Sequence, residues 1–119
     1  MEGSLKYYTV NTPPYPVDRI DVSIPELYLL SNYITGSLMD KKGCDEVLQG
    51  IKDIEENNES EGVENWGGND ISAYIYKDGV QILQFGEMIE YPLGIFKKAI
   101  EEWSDFMVTG KERTVELEW

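Results

Sequence analysis

Histidine is absent from this chain of 119 residues, and cysteine occurs once. Without histidine there is no imidazole general base, no Ser-His or Cys-His dyad and no ordinary catalytic zinc site. A single cysteine, Cys44, rules out an internal disulfide and suits a reducing compartment. No apolar run approaches the length that crosses a bilayer. The first residues lack a basic segment followed by an apolar one, so no secretory leader is expected and the chain reads as cytoplasmic. Positive charge is scarce too: 10 Lys and Arg face 23 Asp and Glu, a net charge of −13. Phosphate backbones and anionic membranes repel such a surface, which disfavours both as partners.

What is present is globular. A hydrophobic fraction of 41% with 12% aromatic residues is too rich for a disordered chain. At this length one domain, residues 1–119, is expected, burying roughly 65% of its unfolded surface.

The pattern from 71 to 107 organises the chain. Ile71-Ser72-Ala73-Tyr74-Ile75-Tyr76 and Val80-Gln81-Ile82-Leu83-Gln84-Phe85 flank Lys77-Asp78-Gly79, which reads as a β-hairpin. With Asp78-Gly79 as a two-residue type I′ loop, Tyr76 faces Gln81, Ile75 faces Ile82 and Tyr74 faces Leu83. One face then carries Ile71, Ala73, Ile75, Val80 and Ile82. The other carries Tyr74, Tyr76, Leu83 and Phe85, either as a second packing layer or as an interface. Beyond Pro92, the residues Phe96, Ala99, Ile100, Trp103, Phe106 and Met107 recur at helical spacing, and Gly110 is a natural stop. The helix is expected to lie across the aliphatic face of the hairpin.

The remaining segments add to that core. Leu5 to Val10 is a candidate first strand. Pro13, Pro14 and Pro16 exclude the next stretch from a central strand and suggest an extended surface connection. Ser23-Ile24-Pro25-Glu26 has the form of a capping box opening a helix, with Leu27, Leu30, Ile34 and Leu38 on its buried side. After a break at Gly43, Cys44, Val47, Leu48, Ile51 and Ile54 form a second apolar stripe. Asn57 to Asp70 reads as a long loop, with a strand entry near Val63 or Trp66. Thr114 to Trp119 alternates as a short edge strand does. The expected class is α+β: a small, largely antiparallel sheet with a central hairpin, packed against about three helices.

Chemistry is hard to find in this inventory. Cys44 falls on an apolar stripe and reads as a buried thiol. No Gly-rich phosphate loop is present, and Trp66-Gly67-Gly68-Asn69-Asp70 lacks the lysine and helix start of one. The acidic stretch does not follow calcium-loop spacing. Carboxylate pairs are plentiful, but among 23 acidic residues some pair always exists, so they do not indicate a glycosidase. No enzyme, metal or cofactor is expected.

What stands out is clustered negative charge. Between Asp45 and Asp70 the only base is Lys52. Asp53, Glu55, Glu56, Glu59, Glu61, Glu64 and Asp70 are the candidate partner-binding carboxylates, with Trp66 as aromatic anchor. A solvated helix face and loop, with Trp66 packed inward, is the competing reading.

The hairpin Ile71 to Ile82 and the amphipathic run Phe96-Lys97-Lys98-Ala99-Ile100-Glu101-Glu102-Trp103, in a small acidic chain, resemble the immunity proteins of bacterial polymorphic-toxin and contact-dependent growth-inhibition systems. The resemblance covers about a third of the chain and is one of style rather than of a signature motif, so it transfers no residue roles. It implies a protein that binds a cognate toxin domain, often a basic nuclease, and blocks its active-site groove with acidic side chains. The alternative is an acidic regulatory or DNA-mimic module acting on another basic protein.

Overall fold

The computed structural model describes residues 1–57, 63–65 and 70–119. Among the described residues, seven strands form two antiparallel sheets, and three α-helices pack between and upon them, as an α+β chain. The strands divide between two sheets rather than joining the single one expected.

The first sheet has the order β2-β1-β7. Strand β1 (Glu2–Thr12) pairs with β2 (Tyr15–Val22) on one side and with β7 (Arg113–Glu118) on the other. The proline stretch is therefore not a loose connection. Pro13 and Pro14 make the tight turn of a hairpin, and Pro16 pairs with Asn11 on an edge strand, where a missing N–H is harmless. Alternation buries Leu5 and Tyr7 from β1 and Val115 and Leu117 from β7. The last segment is thus an edge strand, as its pattern indicates.

The second sheet is a meander, β3-β4-β5-β6. It comprises β3 (Val63–Asn65), β4 (Ile71–Tyr76), β5 (Gly79–Gln84) and β6 (Glu87–Tyr91). The β4–β5 hairpin exists, but its loop is Lys77-Asp78: Tyr76 pairs with Gly79, Ile75 with Val80 and Tyr74 with Gln81. The register differs by two residues from the one expected, so every side chain keeps its face. Ile71, Ala73, Ile75, Val80 and Ile82 are all buried together. Gly79 sits within the strand because a Cβ there would lie 2.8 Å from the Tyr91 carbonyl oxygen. The left-handed turn is at the next hairpin. Phe85 and Gly86 both have positive φ, 50° and 79°, and close the two-residue loop between β5 and β6.

Helix α1 (Tyr28–Ser37) follows a single 3-10 turn at Pro25–Leu27. The expected capping box does not form. Ser23 instead accepts from the Ser4 N–H through its hydroxyl (2.7 Å) and donates its own N–H to the Ser4 carbonyl (3.0 Å), extending the β1–β2 ladder. A distant residue takes over at the helix start. The Tyr91 hydroxyl accepts from the Leu30 N–H (3.3 Å) and donates to the Glu26 carbonyl (2.6 Å), so a side chain from β6 satisfies an orphan donor of the first turn.

Helix α2 (Lys41–Asn57) begins before Gly43, because the Asp40 carboxylate accepts from the Gly43 N–H at 2.8 Å. Helix α3 (Leu93–Thr109) runs to Gly110, whose N–H donates to the Phe106 carbonyl at 2.8 Å. Helix α1 covers β4 and β5, and α3 touches β5, β1 and β7 while α2 packs along it. The α3 stripe is thus shared between both sheets. Tyr7, Trp103 and Phe106 meet at centroid distances of 5.4 to 6.0 Å. Their polar atoms are satisfied: Tyr7 donates to the Ala99 carbonyl and Trp103 to that of Leu38.

Candidate functional site

The apolar stripe of α2 turns Cys44, Val47, Ile51 and Ile54 inward and leaves Asp45, Glu46, Asp53, Glu55 and Glu56 exposed. Asp53, Glu55 and Glu56 thereby stand together on the last turns of one helix, where carboxylates oppose the negative helix end. Each already has a neighbour from this chain. Asp53 accepts from the Gln49 amide (2.9 Å), Glu56 lies 3.8 Å from Lys52, and Glu55 lies 3.6 Å from Lys97 of α3. The two ion pairs and the one hydrogen bond are exposed and of small net worth, easily exchanged for a better cation.

A shallow groove of about 550 Å³ runs between α2 and α3 at this point. Asp45, Glu55, Glu56 and Glu101 line it against only Lys52 and Lys97, so it attracts positive charge. Asp70 is exposed at the entrance to β4, and Glu64 lies on β3 opposite Tyr74. The side chain of Glu64, and Glu59, Glu61 and Trp66 entirely, lie outside the described residues. The structure therefore brings together Asp53, Glu55 and Glu56, and the aromatic anchor expected at Trp66 has no described position.

A second exposed surface lies on the outer side of the β3–β6 sheet. Leu83 and Met88 are directly paired across β5 and β6. They are 42% and 50% exposed, beside Tyr74 at 41% and Phe85 at 78%. The pattern of the hairpin places Tyr74, Tyr76, Leu83 and Phe85 on one face; Tyr74 and Leu83 lie open there, Tyr76 is half-buried and bonded to Glu90, and Phe85 stands in the loop just beyond β5. Met88 adds to this face from β6, a strand that the sequence pattern does not indicate. That strand's five residues, Glu87–Tyr91, carry too short a signal between a turn and Pro92. Phe85 in the left-handed region costs about 1–2 kcal/mol relative to a residue at ease there.

Among the described residues, the buried titratable groups belong to the core. Burial keeps the Cys44 thiol protonated, pushing it up to about 11, which removes it as a nucleophile. Burial likewise raises Tyr7 and Tyr33. Arg113 bonds to both Glu102 (2.9 Å) and Asp105 (2.6 Å), bracing α3 against β7. Among the described residues, no group of three His, Cys, Asp or Glu side chains is placed to hold a metal ion. No described helix is long and apolar enough to cross a membrane.

Comparison with known proteins finds no matching family model, no similar curated protein and no similar solved structure. The functional reading therefore rests on this chain's own surfaces.

Proposed function

We propose that this chain is a non-enzymatic inhibitor of the immunity-protein kind, which binds a basic toxin domain and covers its active-site groove. The observation that carries the reading is the open row of Asp53, Glu55 and Glu56 beside the acidic groove between α2 and α3, in a chain of net charge −13. A nuclease groove that holds phosphate is lined with Lys and Arg, and carboxylates at a helix end can stand where phosphates would. Charge of this kind acts first on encounter: it accelerates association and fixes orientation, and salt weakens it.

The test uses a secreted toxic protein encoded beside this chain, expressed as its C-terminal domain. Co-production should restore growth to cells that the domain arrests. Replacing Asp53, Glu55 and Glu56 together with Gln should slow association and flatten its salt dependence. Failure to bind and to protect removes the proposal. Binding with unchanged salt dependence removes α2 from it.

One observation favours a second reading, a module that imitates duplex DNA toward a basic regulator. The molecule measures 44 × 28 × 27 Å, and exposed carboxylates recur on the first sheet at Asp18, Asp21, Glu116 and Glu118. Competition between this chain and duplex DNA for a DNA-binding partner separates the two.

A further inference from the structure

We propose that the outer face of the β3–β6 sheet, with Phe85 at its tip, is the apolar docking surface for a cationic protein that presents an apolar stripe flanked by Lys or Arg. The proposal rests on the reading of this chain as a binder of a basic protein. It adds the element that holds the complex once charge has brought the two together.

Three observations carry it. The first is placement. The helices cover one side of the sheet: α1 lies over β4 and β5, and Ile75, Val80, Ile82 and Tyr91 are buried beneath. On the other side Leu83 and Met88 form a direct cross-strand pair. Tyr74, one strand further, is diagonal to Leu83, since Leu83 pairs with Ser72 and Tyr74 with Gln81. Diagonal neighbours lie within reach of an aromatic ring, so the three make one patch with Phe85 at its end. Contiguous apolar surface of this kind marks interaction sites in soluble domains.

The second is strain. Phe85 is 78% exposed, so its ring adds little to the core. Its φ of 50° is one that bulky residues avoid. Asparagine would serve the turn better. Backbone strain at an exposed aromatic is a reason to look for a use of the ring outside the fold.

The third is charge, and it selects the occupant. Among the described residues, Asp70 and Glu90 are exposed on the patch's side of the sheet by strand alternation, with Asp78 exposed in the β4–β5 loop and Lys77 the one base beside them. A second copy would set these carboxylates against one another across the contact and would double a net charge of −13, whereas a cationic partner relieves them. An aromatic anchor inside a charged rim is the composition of an interface hot spot.

The experiment follows backbone amide shifts of the whole chain on titration with three synthetic peptides. One is an amphipathic Leu–Lys peptide with leucine at helical spacing. The second is its scrambled isomer, and the third is oligolysine of equal length. The amphipathic peptide is expected to shift Tyr74, Leu83, Phe85 and Met88, and to bind about tenfold or more tightly than the isomer. The Phe85→Asn variant, which keeps the turn, should lose that advantage while its other amides remain in place. Shifts confined to α2 with all three peptides would overturn the docking surface yet leave the acidic reading of α2 standing. Shifts on the sheet, with an Asp53, Glu55 and Glu56 to Gln variant associating with the partner unchanged, would do the reverse. Self-association that Phe85→Asn abolishes would also overturn the proposal, in favour of a second copy.

Discussion

Replacing Phe85 with asparagine should make this protein more stable, although it removes an aromatic ring. The backbone at 85 has φ 50°, a conformation that asparagine adopts readily and phenylalanine only at a cost of about 1–2 kcal/mol. Against this stands the surface that the ring covers. With Phe85 78% exposed, only about a fifth of a side chain that could bury roughly 150–250 Å² is shielded. At about 25 cal/mol per Å² the loss is about 0.8–1.3 kcal/mol, and asparagine, whose own side chain covers some of the same surface, recovers part of it. The expected net is a gain of about 0.5–1 kcal/mol. For 119 residues the unfolding entropy is about 0.25 kcal/mol/K, so Tm should rise by about 2–4 °C. Phe85→Ala separates the two contributions, because it removes the ring but keeps the strained backbone. Urea and thermal melts of the three proteins should therefore rank Asn above wild type and wild type at or above Ala. An Asn variant no more stable than the Ala variant would refute the strain argument, and with it the second of the three observations behind the docking surface.

Three other perturbations test the fold. Tyr91→Phe deprives the Leu30 N–H of its acceptor and the Glu26 carbonyl of its donor; a loss of about 1–3 kcal/mol in urea unfolding is expected, with α1 the first helix to lose amide protection. Gly79→Ala places a methyl 2.8 Å from the Tyr91 carbonyl oxygen, which should cost about 1–3 kcal/mol as β5 and β6 are forced apart. A type I′ turn at Asp78-Gly79 would instead predict a left-handed φ at 79 in the backbone shifts. Alkaline pH should destabilise. Burial raises Cys44 from 9.0 to about 11 and Tyr91 from 10.0 to about 12, so the folded state holds these protons more tightly than the unfolded one. Their contribution is complete below about pH 9 and is lost as pH rises through 11 to 12. Tm should be flat up to about pH 9 and then fall between there and about pH 12. Complete phenolate titration near the ordinary value of 10.0 in a protein that remains native would contradict it.

The places where sequence pattern and structure part company share one cause. At Ser23 the local motif is complete, yet the hydroxyl bonds to Ser4 across a hairpin, because the strand ladder competes for the same group. At Asp78-Gly79 the turn signal is strong, yet the loop shifts to Lys77-Asp78 because β6 runs against Gly79. The actual left-handed turn, Phe85-Gly86, carries half the usual signature, since phenylalanine is a poor turn former. Strand β2 hid behind its prolines and β6 behind its brevity. Of the candidate site, Asp53, Glu55 and Glu56 were legible because helical spacing puts them opposite a clear apolar stripe. Met88 was not, because its partner Leu83 is chosen by a register that no single strand contains.

Local periodicity and composition alone determined the α+β class, the three amphipathic helices, which side chains of the hairpin point inward, and the excess of negative charge. Those properties depend on residues a few positions apart, where backbone geometry dictates the spacing. Tertiary structure alone decided that the strands split into two sheets, that Tyr91 rather than Ser23 serves the start of α1, and that Met88 joins Leu83 on one open face. Each of these is a meeting of segments far apart in the chain, settled by which burial and hydrogen bonding the whole molecule can satisfy at once.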